Sequence, residues 1–90
     1  NMEMNKMKQK PPLYMYTADW CQACKSIKPR IETLAKKYDC ELIIIDVDKE
    51  IDKNINVKSL PAFQVGFSGF SYWAFNYNNL EAILRDGEFY

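Results

Sequence analysis

The sequence predicts an α/β domain: a four-stranded mixed sheet, with elements in the order βαβ, a short helix, ββ, then α, and with helices on both faces. Three observations predict it. A short aromatic-rich run, LYMYT at 13–17, is followed by an apolar stripe of helical period and then by the nearly continuous apolar run ELIIIDV at 41–47. That sequence of patterns is a parallel crossover, which should be right-handed. Two further strand-like runs, 61–67 and 70–75, flank Ser68-Gly69, a hairpin signal.

The elements follow in order. Residues 1–12 form a polar N-terminal segment ending in Pro11-Pro12, expected to be a flexible tail, and residues 13–90 form one domain. After the first strand, Ile27, Ile31, Leu34 and Tyr38 fall on one face of a helix, with lysines and Arg30 on the other. Pro29 lies inside this pattern and predicts a kink about one turn after Cys24. The apolar centre of 41–47 predicts a central strand covered on both faces. Residues 48–55, DKEIDKNI, predict one or two helical turns capped by Asp48. The last helix carries Leu80, Ile83 and Leu84 on one face, with Asn76, Asn78 or Asn79 as the N-cap.

Composition narrows the function. The chain has 90 residues, 48% apolar and 27% charged. It buries roughly 60–65% of its unfolded surface, enough for a modest core. Twelve basic and twelve acidic side chains give no net charge, which argues against general affinity for nucleic acid or anionic membrane. The lysines at 6, 8 and 10 are a local exception in the polar tail. No apolar run approaches the ~18–20 residues needed to span a bilayer, and the N-terminus lacks the apolar core of a secretory signal. Asn1 before Met2 reads as a cloning remnant, and the expected location is the cytoplasm.

Three cysteines cannot form a fully paired disulfide framework, and there is no histidine. Cys21, Cys24 and Cys40 supply at most three of the four ligands of a closed zinc site, so no metal is expected. Cys21 and Cys24 stand where the first strand ends and the long helix begins. At i and i+3 on a helical turn they lie close enough to close and reopen a disulfide. A bridge over two residues adds little stability, which disfavours a staple. Cys21 meets the positive end of the helix, which supplies roughly 0.3–2 kcal/mol to a thiolate, about one pKa unit from a start near 8.5. Cys24 begins the buried stripe and should be less exposed and more protonated. Cys21 is therefore the expected nucleophile and Cys24 the resolving thiol.

The segment ADWCQACKSIKP resembles the active site of the thioredoxin-like family, with tryptophan before the first cysteine, lysine after the second and a helix proline five residues on. SLPAF at 59–63 is similar to that family's cis-proline loop, which faces the dithiol. The resemblance runs from residue 13 to about 86. It implies a minimal thioredoxin fold and a thiol–disulfide oxidoreductase with a redox-active Cys21–Cys24 disulfide and no metal or organic cofactor. It implies protein disulfides as substrates, a reductase or oxidase that recycles the dithiol, and a monomer. It also implies a cis Pro61, with the Leu60 backbone edge pairing an extended substrate strand.

The chain departs from the family pattern in several places. Typical thioredoxins have a further strand and helix before the active-site strand, so the outline is closer to glutaredoxin. Glutaredoxins, however, carry Pro-Tyr where Gln22-Ala23 stands here. Met15 occupies the place of a buried aspartate, and Ile44 lies near that of its lysine. A glutathione-dependent, glutaredoxin-like reductase and a non-catalytic binding module are the alternatives. Trp20 either shapes the partner-docking surface or packs on the adjacent loop; a strand–helix tip is hard to bury, which favours docking. Asp19 either tunes the thiol or is simply solvated. Cys40 reads as a small apolar filler, with a regulatory or intermolecular thiol as the alternative. Tyr72, Trp73, Phe75 and Tyr77 lie on both strand faces, as core, edge cover or a protein-binding patch.

Overall fold

The computed structural model describes residues 10–50, 57–67 and 70–87. Four strands and two helices follow the expected order: β1 (Leu13–Thr17), α1 (Gln22–Lys37), β2 (Leu42–Asp46), β3 (Ala62–Phe67), β4 (Phe70–Ala74) and α2 (Tyr77–Asp86). The sheet order is β2-β1-β3-β4. β1 pairs in parallel with β2 and antiparallel with β3, and β3 pairs antiparallel with β4. The sheet is therefore mixed, as predicted.

One expectation is corrected. The run Leu-Ile-Ile-Ile predicts a central strand, yet among the described residues β1 lies inside the sheet and β2 stands at its edge. Its residues are half-buried, and Ile44 is exposed. An apolar run fixes a strand's appetite for burial, not its place in the sheet.

The core lies between the sheet and the two helices. Register places Leu13 and Met15 of β1, Phe63 and Val65 of β3, and Ala74 of β4 on one face. All are buried with Cys24, Ile31, Leu34 and Leu80 from the helices. Both described helices share that face. Lys37 pairs with Glu81 at 3.1 Å, and the Arg30 guanidinium lies 4.2 Å over the Tyr77 ring. The short helix expected at 48–55 falls mostly on residues 51–56, outside the described residues, as does the Ser68-Gly69 turn. Ahead of it, residues 46–50 form a turn closed by Asp46: the Asp46 carbonyl accepts from the Lys49 and Glu50 amides, and its carboxylate from the Asp48 amide at 2.9 Å.

Local signals explain the element ends. α1 runs from Gln22 to Lys37 with Pro29 inside it, and the proline is exposed. The helix closes with the Cys40 amide donating to the Ala35 carbonyl and the Asp39 amide to that of Lys36. Asp39 takes the left-handed conformation, φ 57°, which that closing motif needs and which glycine usually supplies. Asn76 caps α2, its side chain accepting from the Asn79 amide at 2.9 Å. The tail expected over 1–12 lies outside the described residues as far as residue 9. Packing begins at Pro11, which is buried, and the Pro12 carbonyl accepts from the Gly66 amide at 3.2 Å. Among the described residues no helix is long and apolar enough to cross a membrane.

Candidate active site: the Cys21–Cys24 disulfide

The central strand delivers the site. β1 ends at Thr17, and the turn through Asp19 and Trp20 leads straight into α1. Cys21 is the N-cap of α1, with extended backbone at φ −89° and ψ 99°, and its Sγ accepts from the Cys24 amide at 3.1 Å. A sulfur in this place satisfies one of the amides that a helix start leaves unpaired. The same donor favours a thiolate at Cys21 once the bridge opens, adding to the helix dipole. Cys21 and Cys24 form a disulfide, with their Cα atoms 5.3 Å apart.

The expected contrast in exposure between the cysteines is corrected. Cys24 is 1% exposed as anticipated, but Cys21 is only 6% exposed. Its cap conformation turns the side chain back over the first helical turn, and the bridge holds it there. Cys21 remains the more exposed of the two by a small margin.

The loop expected to face the dithiol has the expected form: Leu60–Pro61 is cis, and Leu60 is half-buried against the core that includes both cysteines. Trp20 is 66% exposed. It is not loose, because its Nε1–H donates to Asp48 Oδ2 at 2.8 Å. Asp48 was read only as a helix cap, so this partnership was missed. The available signal was the parallel pairing of β1 with β2, which brings both strand ends to one level: Thr17 pairs with Asp46, and the Val47 amide donates to the Thr17 carbonyl at 2.9 Å. Asp19 is solvated. It lies 3.6 Å from Lys49, which also meets Asp46 at 3.7 Å. Such exposed pairs contribute roughly 0–1 kcal/mol.

Below the disulfide the surroundings are apolar. Met15 is buried in the cluster that holds both cysteines, and among the described residues no polar or charged side chain is buried. Cys40 lies beyond the far end of α1, roughly 20 Å of helix from Cys24. It is a free, half-buried thiol whose Sγ donates to the Tyr38 carbonyl at 3.6 Å. Burial pushes it above the ordinary thiol range; Lys10 works against this and Asp39 with it. The filler reading fits that placement.

A bridged CxxC at the N-terminus of a helix, fed by an inner strand of a mixed sheet, together with a cis-proline before the next strand, defines the class of small redox-disulfide proteins. Comparison with known proteins narrows it. Residues 1–83 match the family described as Thioredoxin. Thioredoxin of Oryctolagus cuniculus is 35% identical over 77 residues, covering 79% of this chain and 73% of that protein. Thioredoxin H8 of Arabidopsis thaliana is 44% identical over 50 residues, covering 52% of this chain and 34% of its relative. Among solved structures, oxidised mitochondrial thioredoxin 3 of Saccharomyces cerevisiae superposes with a TM-score of 0.74 at 29% identity, over 94% of this chain and 88% of that one. The chain belongs to the thioredoxin family. It matches a third to a half of the length of the first curated relatives, at 34%, 49% and 50%.

Proposed function

We propose that the protein is a thiol–disulfide oxidoreductase acting on protein disulfides, with Cys21 as nucleophile and Cys24 as resolving thiol. The observation that carries this is the bridge itself, closed between the helix cap and the first buried position of α1. In the reducing direction, the Cys21 thiolate attacks one sulfur of a partner disulfide. That bond breaks, and the second partner sulfur leaves as a thiolate and takes a proton. Cys24 then loses its proton, attacks the Cys21 sulfur and expels the remaining partner thiolate, which is protonated in turn. Two electrons and two protons have moved to the partner, and the Cys21–Cys24 bridge has formed. The reverse sequence oxidises a dithiol. No metal or organic cofactor enters either direction.

Trp20, Leu60 and Pro61 form the partner-binding edge in this reading: the indole is exposed and fixed by Asp48, and the Leu60 backbone offers its edge to an extended segment. A reductase or an oxidase recycles the dithiol, and electron transfer between partners is the protein's role. A reducing compartment, the cytoplasm, suits a chain with an unpaired third cysteine. The protein acts as a monomer, which sedimentation would check.

Insulin reduction coupled to dithiothreitol tests the activity. The wild type should precipitate insulin, and Cys21→Ser should not. Equal rates for the two would leave a binding module as the better description. Equilibration in glutathione buffers gives direction: a potential near about −270 mV marks a reductant and one near −120 mV an oxidant.

A further inference from the structure

On the sheet face turned away from α1 and α2, three rings stand in a row. Tyr16 stacks on Trp73 at 5.5 Å, and Trp73 on Phe75 at 6.4 Å, with interplanar angles of 22° and 15°. The row is anchored at one end. Tyr16 is buried, its hydroxyl donates to Gln64 Oε1 at 2.7 Å, and Gln64 Nε2 donates to Ser71 Oγ at 3.0 Å. The other end is open: Trp73 and Phe75 are 44% and 52% exposed. They form one wall of a cleft of about 350 Å³ whose other wall is Val57, Lys58 and Ser59.

The cleft adjoins the Leu60–Pro61 loop in sequence and in register. Ser59 is one residue from Leu60. Phe63 pairs with Ala74, so Phe75 comes level with Ala62, the residue after Pro61. Tyr16 also pairs with Ala62 and lies at the end of β1 that leads to Cys21. The rings therefore sit at the end of the sheet that carries the redox bridge. Lys58 is the one charged side chain among the described residues that line the cleft.

We propose that this cleft is a specificity subsite for the disulfide-bearing partner: it takes one aromatic or large aliphatic side chain, with a carboxylate beside it for Lys58. The proposal rests on the thiol-exchange reading above. The cleft's volume is at the small end of the range for ligand sites, which suits one side chain rather than a whole cofactor. Its aromatic wall is held in place before binding, so little side-chain freedom is lost when a partner docks. A partner extended along the Leu60 edge covers about 3.3 Å per residue, so the matching side chain is sought at the positions that flank the partner's cysteine.

The test is a set of disulfide-linked peptides that differ only at those positions, reduced by the pre-reduced protein under second-order conditions. A peptide with Phe and Glu there should react about five- to tenfold faster than one with Ala and Glu, the effect of partly burying one ring. Trp73→Ala should bring the two within about twofold of each other, whereas Trp73→Tyr should keep most of the preference. Lys58→Glu should reverse a preference for Glu over Lys beside the Phe. Equal rates for Phe and Ala at every position in the wild type overturn the proposal, and so does a preference that survives Trp73→Ala. Bis(2-hydroxyethyl) disulfide separates the two levels, because it is too small to reach the cleft. If the wild type reduces it but shows no peptide preference, only the subsite fails. If the wild type reduces neither it nor the peptides, the thiol-exchange reading fails and takes the subsite with it.

Discussion

Cys21 and Cys24 stand one helical turn apart, and the proposed exchange rests on what that turn does to each. Cys21 caps the helix and receives the Cys24 amide; Cys24 points into the apolar core. Cys24→Ser should therefore leave an attacking thiol with no resolving partner. In cell extract it should accumulate covalent complexes that dithiothreitol releases, seen as shifted bands on non-reducing gels. Cys21→Ser should trap far less, and equal trapping by both variants would refute the assignment. Met15 adds a second expectation at this scale. With no buried polar side chain near Cys24 among the described residues, resolution of the mixed disulfide should be slow near neutral pH and speed up as pH rises. Stopped-flow kinetics would show this, and a fast pH-independent step would contradict it. Cys40 titrates in the same sense: burial favours its neutral form. Its alkylation should lag that of an ordinary thiol near neutral pH and catch up only above the usual thiol range. Its favourable term in folding is likewise present at low pH and lost as pH rises through its raised pKa.

The elements show where local sequence suffices. α1 needs no tertiary help to be legible: its stripe of Ile27, Ile31 and Leu34 continues through Pro29, and two lysines stand in its last turn. α2 is shorter, ten residues, and depends more on its ends. Asn76→Ala should cost about 1 kcal/mol, read as a lower urea midpoint with unchanged slope. Lys37→Ala, which removes the exposed pair with Glu81, should shift the midpoint by much less. β2 is the opposite case. Its run of isoleucines predicts a strand correctly and its position wrongly, because the pairing that places it at the edge is made by β1.

At the scale of the whole molecule, one layer of side chains joins sheet to helices. Phe63 is fully buried at its centre and pairs across to Met15 on one side and Ala74 on the other. Phe63→Ala should cost about 3–5 kcal/mol, a large share of the ~5–15 kcal/mol expected for a domain. A broad, poorly cooperative thermal transition is the expected outcome, and a melt like the wild type's would show that another layer carries the fold.

The sequence alone determined the order of elements, the reactive pair and the proline loop, because each is written in a local code: periodicity, a helix start, an X–Pro step at a definite distance from the cysteines. Tertiary structure alone decided the rest. It put β1 rather than β2 inside the described sheet, buried Cys21 nearly as deeply as Cys24, joined Trp20 to Asp48 across 28 positions, and lined up Tyr16 with Trp73 and Phe75 from two separate stretches of chain. The physical reason is one throughout. A residue's own type sets what environment it favours, but which partner supplies that environment is fixed by strand register, and register is a property of pairs of segments that no single segment contains.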